Sequence, residues 1–209
     1  DDDRPRHAPP EVRHPTAHAL QVVRRPLGLA GVQHLAGSVE EDRQVRMRAR
    51  VAEHDPVTAP EPAKAIQFFQ EVLEFRVSEM LVNPEGVPIA AWLWQRPAPH
   101  DIAIVPGREG GFHHAAFVVD SAEALFRAAD ILTMHKARID YGPGRHGITR
   151  GTTIYFFDPS GNRLEAFGGY TAYQMDPDCR AIKWTTDEIG PAVFYYSQEL
   201  NQSFLSVYT

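Results

Sequence analysis

All 11 Phe, 3 Trp and 7 Tyr of this 209-residue chain lie at Phe68 or beyond it. Aromatic side chains supply much of the apolar area that a core buries, so at the chain-wide content of 10% the stretch from Asp1 to Ala63 would hold about six. It holds none, and it also lacks Ile, Asn, Lys and Cys, while Arg, Ala, Pro, Val and His crowd it. A segment of that composition can hardly build a core. It shows neither strand alternation nor a sustained helical stripe, apart from a short piece around Ala19 to Leu29 that Pro26 interrupts. Residues 1–53 therefore read as irregular, or as non-native in sequence: the missing types have AT-rich codons, as expected for a GC-rich gene read out of frame. A chain that opens on Asp1 rather than Met is expected to be a fragment.

With 43% hydrophobic and 23% charged residues, the chain is long enough for one soluble domain or for two small modules sharing a core. Its 21 Lys and Arg against 27 Asp and Glu give a net charge of -6, which provides no general cationic field for nucleic acid or anionic lipid. Small molecules are the expected partners. No apolar run approaches the roughly 18 residues of a membrane span, and no basic-then-apolar leader opens the chain. Cys179 stands alone, which excludes an intrachain disulfide and fits a reducing cytoplasm.

After Pro62 the patterns become legible. Ile66, Phe69 and Leu73 follow helical spacing over Ala63 to Glu74, with Pro62 at a tolerated first-turn position. Strand-like runs follow at Arg76 to Val82, Pro88 to Gln95 and Asp101 to Val105, with Asn83, Pro84, Glu85 and Gly86 supplying the first turn. A second unit begins with a strand at His113 to Val119. Asp120 and Glu123 then form an N-terminal box for a helix with Leu125, Phe126, Ala129 and Leu132 on one face. Strands at Ala137 to Tyr141, Thr152 to Phe157 and Arg163 to Phe167 complete it. Both units read as strand, helix and three strands, and His54 and His114 open them sixty residues apart, an internal repeat.

The stretch from Thr153 to Phe167 fixes a register. Asp158, Pro159, Ser160 and Gly161 match a type I turn, and Gly161 before Asn162 suits a hairpin loop that ends in a left-handed residue. If Asp158 pairs with Asn162, Tyr155 falls opposite Glu165 on the face shared by Phe157 and Arg163. A carboxylate there is costly to bury without a cation or several donors, and a metal ion is one solution. Pairing with Arg163, or exposure to water, is the other.

His113 and His114 are successive residues of an expected strand, so their side chains point to opposite faces and only one can join Glu165. Periodicity does not choose between them. His146 lies in a loop of four glycines, GPGRHGITRGTT, where backbone free of packing presents side chains. His100 precedes the strand DIAIV. His135 follows a helix and has a solvated C-terminal role.

Six motifs in order, HDIAIV, GFHHAAF, LFRAADIL, GPGRHGIT, TIYFFDPSGNRLEAF and WTTDEIGPAVFYYSQELNQSFLSV, cover about Ala63 to Thr209. They resemble extradiol ring-cleaving dioxygenases of the vicinal oxygen chelate superfamily, most closely the catechol 2,3-dioxygenase branch. The resemblance implies an α+β, glyoxalase-like fold of paired βαβββ modules, with a metal-binding domain over 54–170 and a C-terminal extension, 171–209, packed on it. It implies Fe(II) held by His54, His114 and Glu165, an arrangement that leaves positions open for two reactants. By the same resemblance His100, His146 and Tyr155 surround catechol and dioxygen, with His100 in acid/base work and the other two holding substrate oxygens. The implied reaction is the meta cleavage of catechol to 2-hydroxymuconate semialdehyde in aromatic hydrocarbon catabolism, by a cytoplasmic homotetramer. The alternatives are a nonoxidative metal enzyme or small-molecule-binding module on the same fold, and an inactive fragment. Trp184 and the aromatics Phe194, Tyr195, Tyr196 and Phe204 read as core or interface surface that covers one end of the pocket.

Overall fold

The computed structural model describes residues 50–96, 98–168, 178 and 180–208. The expectations for residues 1–49, the Ala19 to Leu29 piece among them, and for Cys179 lie outside the described residues. The elements in chain order are β1 (Arg50–Ala59), α1 (Pro62–Glu71), β2 (Arg76–Val82), β3 (Pro88–Trp94), β4 (Ile102–Pro106) and β5 (Ala115–Val118). Then come α2 (Ala122–Met134), β6 (Ile139–Arg145), β7 (Thr152–Phe157), β8 (Arg163–Gly168) and β9 (Ile182–Thr185). A 3-10 turn (Thr186–Glu188), α3 (Ile189–Val193) and α4 (Gln202–Ser206) end the described chain.

Among the described residues the strands form one sheet in the order β6-β7-β8-β5-β1-β4-β3-β2-β9. The order contains its own repeat. In the first module β1 runs parallel to β4, and β4, β3 and β2 continue antiparallel; in the second, β5 runs parallel to β8, and β8, β7 and β6 do the same. The modules join where β1 and β5 pair antiparallel. Each module buries its helix on its own strands. Ile66 of α1 packs with Ala91, Leu93 and Ile104, and Leu125 of α2 with Val119, Ile154 and Ala166. Fully burying side chains of this size contributes about 1.5–3 kcal/mol each.

β1 opens at Arg50, inside the segment that reads as irregular, and its pairing explains why. His54, Pro56 and Thr58 are buried on one face, while Val57 and Ala59 on the other pack against the α1 cluster. The strand alternates, but between a site-lining face and a helix-facing one, so hydropathy shows no contrast. Pro56 costs little, because its carbonyl still accepts the His113 N–H at 3.1 Å and its missing donor falls only on the β5 side. On α2 the cap is Ser121, whose hydroxyl accepts the Ala124 N–H at 3.1 Å, not Asp120. Phe126 leaves the expected apolar face and is 61% exposed, since the buried stripe runs through Leu125 and Ala128.

Candidate functional site

The β7–β8 hairpin has the register its turn residues predict. Asp158 N–H donates to Asn162 O at 3.0 Å, Gly161 is left-handed with φ 89, and Tyr155 lies opposite Glu165. The pairing continues sideways, because Glu165 is also level with Ala116 of β5, and Ala116 with His54 of β1. Tyr155, Glu165, Ala116 and His54 thus form one transverse row, and residues in a row share a face. Ala116 is fully buried, and its methyl leaves room above the sheet where the longer side chains meet.

His54 Nε2 lies 3.0 Å and His114 Nε2 3.1 Å from Glu165 Oε2, and donor atoms of all three residues fall within 4.8 Å of one another. Glu165 is fully buried, and its other oxygen accepts the Thr153 hydroxyl at 2.5 Å and stands 3.4 Å from His146 Nε2. Burial alone would raise the Glu165 carboxyl, but the imidazoles of His114, His146 and His54 against it hold it well below the usual range. Burial also pushes His114 down to about 4, despite the carboxylate, and keeps its imidazole neutral.

These residues fit a divalent cation. His114 Nε2 is within ion-pair distance of Glu165 yet out of line for a hydrogen bond, so this buried nitrogen has no hydrogen-bond partner in the protein. Two donors at about 2.1 Å from one ion and at right angles stand about 3 Å apart, which is the spacing seen here. Two imidazoles and one carboxylate suit a first-row metal with open positions.

Above this cluster is a cavity of about 180 Å³. A cavity of about 150 Å³ takes a benzene ring, so one aromatic ring fits. His100, His146 and Tyr155 line it together with the three cluster residues. The His100 ring lies 3.9 Å from that of His54, its Nδ1 has no partner, and burial, followed by the nearby His54, holds it well below the usual histidine range. His146 Nε2 is 3.0 Å from the Tyr155 hydroxyl. Burial, then the Glu165 charge, raises the Tyr155 phenol well above its usual value, so it stays a donor.

The structure therefore brings together His54, His114 and Glu165 and sets His100, His146 and Tyr155 around them. His135 is exposed at the end of α2, away from this group. His113 departs from the opposite-face expectation. Residues 113 and 114 precede β5, where strand alternation does not apply, and their Nδ1 atoms are 2.6 Å apart with both rings lining the cavity. His113 is committed elsewhere, to Phe204 O at 2.8 Å and Arg163 Nη1 at 3.2 Å, and burial takes it down to about 3. Sequence reasoning missed Thr153, and placed Phe167 beside the Glu165 carboxylate without giving it a role at His54. Thr153 shares the Tyr155 face by parity, and the ring of Phe167 stands edge-on to His54 at 5.2 Å. Phe204 closes one wall of the cavity, while Tyr195 and Tyr196 are exposed.

Residues 33–166 match the family model described as the Glyoxalase/Bleomycin resistance protein/Dioxygenase superfamily, and the chain belongs to that family. Particular relatives narrow the class. The chain is 41% identical over 78% of its length to a metapyrocatechase of Pseudomonas sp. (strain CF600), covering 53% of that protein. It is 34% identical over 72% of its length to a manganese-dependent 2,3-dihydroxybiphenyl 1,2-dioxygenase of Geobacillus genomosp. 3, covering 49% of it. Among solved structures, the 2,3-dioxygenase LapB of Pseudomonas sp. KL28 matches 70% of the chain with a TM-score of 0.65 and 39% identity, over 51% of that structure. Homoprotocatechuate 2,3-dioxygenase of Brevibacterium fuscum, in complex with 3,4-dihydroxyphenylacetate, matches 76% with a TM-score of 0.71 and 25% identity, over 49%. The chain spans about half the length of the curated relatives it matches. These extradiol dioxygenase relatives imply a catalytic metal. Among the described residues no helix is long and apolar enough to cross a membrane.

Proposed function

We propose that this chain performs the extradiol cleavage of catechol by dioxygen in the cytoplasm, with Fe(II) held by His54, His114 and Glu165, and that the product is 2-hydroxymuconate semialdehyde. One C–C bond beside the hydroxyls opens, and both oxygen atoms of dioxygen enter the product. The observation that carries the reading is the buried His114 Nε2, which lacks a hydrogen bond and shares with His54 the approach to a single buried carboxylate beneath a ring-sized cavity. Two imidazoles against one carboxylate favour iron over manganese, both by ligand preference and by the usual affinity order.

Iron, when bound, supplies the charge that acidifies both substrate hydroxyls and the one-electron chemistry that dioxygen requires. The protein supplies the rest. Tyr155, kept protonated by burial, donates its hydroxyl proton in a hydrogen bond to one substrate oxygen, and His146 Nε2 holds the same end of the ring. His100, neutral and with a free Nδ1, takes a proton as the substrate ionises and returns it to oxygen as the O–O bond breaks. Trp92, Leu81 and Phe204 form apolar wall, which excludes water from the reacting atoms.

The test is anaerobic loading with Fe(II) or Mn(II), followed by metal analysis and measurement of oxygen uptake with catechol. About one iron per chain, one dioxygen consumed per catechol and a yellow product are expected. Bound metal without oxygen uptake would point to a nonoxidative enzyme or a binding module, and failure to hold metal to an inactive fragment.

A further inference from the structure

Glu79 is a buried carboxylate outside the cluster described above. It sits on β2, 1% exposed, level with Ile182 of β9, and both its oxygens are used. Oε1 accepts the Thr149 N–H at 2.6 Å and Oε2 the indole N–H of Trp184 at 2.7 Å. Thr149 belongs to the loop 146–151 between β6 and β7, which opens on His146. Thr149 and Arg150 are both left-handed, with φ 62 and 56, a conformation that a β-branched residue rarely adopts. Two such residues in succession persist only where surrounding bonds over-determine them. Beside the contact of the His146 Nδ1 with Val193 O, the bonds that hold the loop are His146 N–H to Gly151 O at 3.0 Å, Ile148 N–H to Ala192 O at 2.8 Å, and Thr149 N–H to Glu79. The last is the shortest of the three, and its acceptor is a carboxylate. An apolar side chain would fill this space without the cost of desolvation. The carboxylate adds two acceptors that face donors on two different elements.

We propose that Glu79 is a positioning residue for His146: by accepting the Thr149 N–H it fixes the left-handed turn of the loop and keeps the His146 imidazole beside Tyr155 and Glu165. The Trp184 bond ties the same carboxylate to β9, so the loop, β2 and the C-terminal strand share one anchor. The role of His146 in this proposal rests on the ring-cleaving reading; the anchoring of the loop rests on geometry alone.

Glu79→Gln preserves volume but offers one carbonyl oxygen to two N–H donors. Amide hydrogen exchange of the metal-free chain should then speed up about tenfold or more at 147–151 while α2 exchanges as in the parent. Trp184→Phe, which removes one donor and leaves Thr149 its acceptor, should keep the loop within about threefold of the parent. In the iron-loaded chain Glu79→Gln should lower kcat/KM about tenfold or more, and Glu79→Gln with His146→Gln should fall no lower than His146→Gln alone, because both remove one interaction. Unchanged exchange in the loop overturns the proposal, as does equal acceleration in the loop and α2, equal loosening by Trp184→Phe, or additive losses in the double variant. A parent chain that binds iron but does not turn over catechol sinks the functional reading, and the exchange result still decides the anchor.

Discussion

Glu165 carries its charge at a point with no solvent exposure, against imidazoles and one hydroxyl and level with Tyr155. It is the anion of the candidate ligand set, so Glu165→Gln removes the charge that offsets a cation's desolvation. Loss of an outer-shell partner costs roughly 10–100-fold in metal affinity, and loss of a direct ligand should cost at least that, read as iron retained per chain after gel filtration. Tyr155→Phe should behave differently. It removes a donor to a charged oxygen, worth about 1.5–3 kcal/mol, so iron content holds while kcat/KM falls roughly 10–100-fold. Equal loss of iron in both variants would mean that the tyrosine supports the metal cluster rather than the substrate. At this scale the site was half legible. The hairpin arithmetic placed Tyr155 against Glu165 from turn residues alone, because a three-residue loop admits few registers. Nothing local marked His54, whose neighbours on the same face are Pro56 and Thr58.

Arg163 determines how the C-terminal elements sit. Its side chain is fully buried, donates to Asp140 Oδ2 at 3.0 Å, and reaches the carbonyls of Ser203 at 2.6 Å and Val207 at 2.8 Å on either side of the last turn of α4. Asn201 and Ser203 bond Asp140 in turn, so one ion pair pins the segment that carries Phe204 over the cavity. A lysine keeps the charge but not the fork that serves several acceptors at once. Arg163→Lys should therefore cost about 1–3 kcal/mol by urea denaturation, as for buried acceptors left without a donor, and speed proteolysis and amide exchange at 201–208 ahead of β7. If the loss appears evenly over the whole chain, the pair supports the core and not the cover. The sequence placed Arg163 on the Glu165 face and left open a pairing between the two; the structure gives the guanidinium to Asp140, a contact 23 residues away that no local pattern encodes. Strands bounded by a clear turn, such as β2 before Asn83 to Gly86 and β7 before Asp158 to Gly161, were read to the residue. β1 and the start of β5 were not, because their inward faces line a site and carry histidine where a core strand would carry valine.

The two modules repeat the same pairing, yet the cluster is not symmetric: the first module contributes His54, and the second contributes His114 and Glu165, across the β1–β5 seam. A metal bound there would tie the halves together, and the metal-free fold buries the imidazoles of His100, His113 and His114, which an unfolded chain would protonate. The consequence for stability has a definite sign. His113 and His114 titrate in the fold near 3 and 4, His100 lies well below its usual value, and in the unfolded chain all three return to about 6.5. Between these limits the unfolded chain binds more protons, so their contribution is present above about pH 6.5 and is lost as pH falls. Glu79 opposes this. Burial raises its carboxyl, so its contribution is present below the ordinary carboxylate range and is lost as pH rises through the shifted value. With three imidazoles against one carboxyl the imidazoles set the net sign, so stability falls as pH drops below about 6.5. Denaturant midpoints of the metal-free chain should fall steadily from about pH 7 to about pH 5. A flat profile over that range would mean that the imidazoles are already charged in the fold, and a charged imidazole has no lone pair to give a metal.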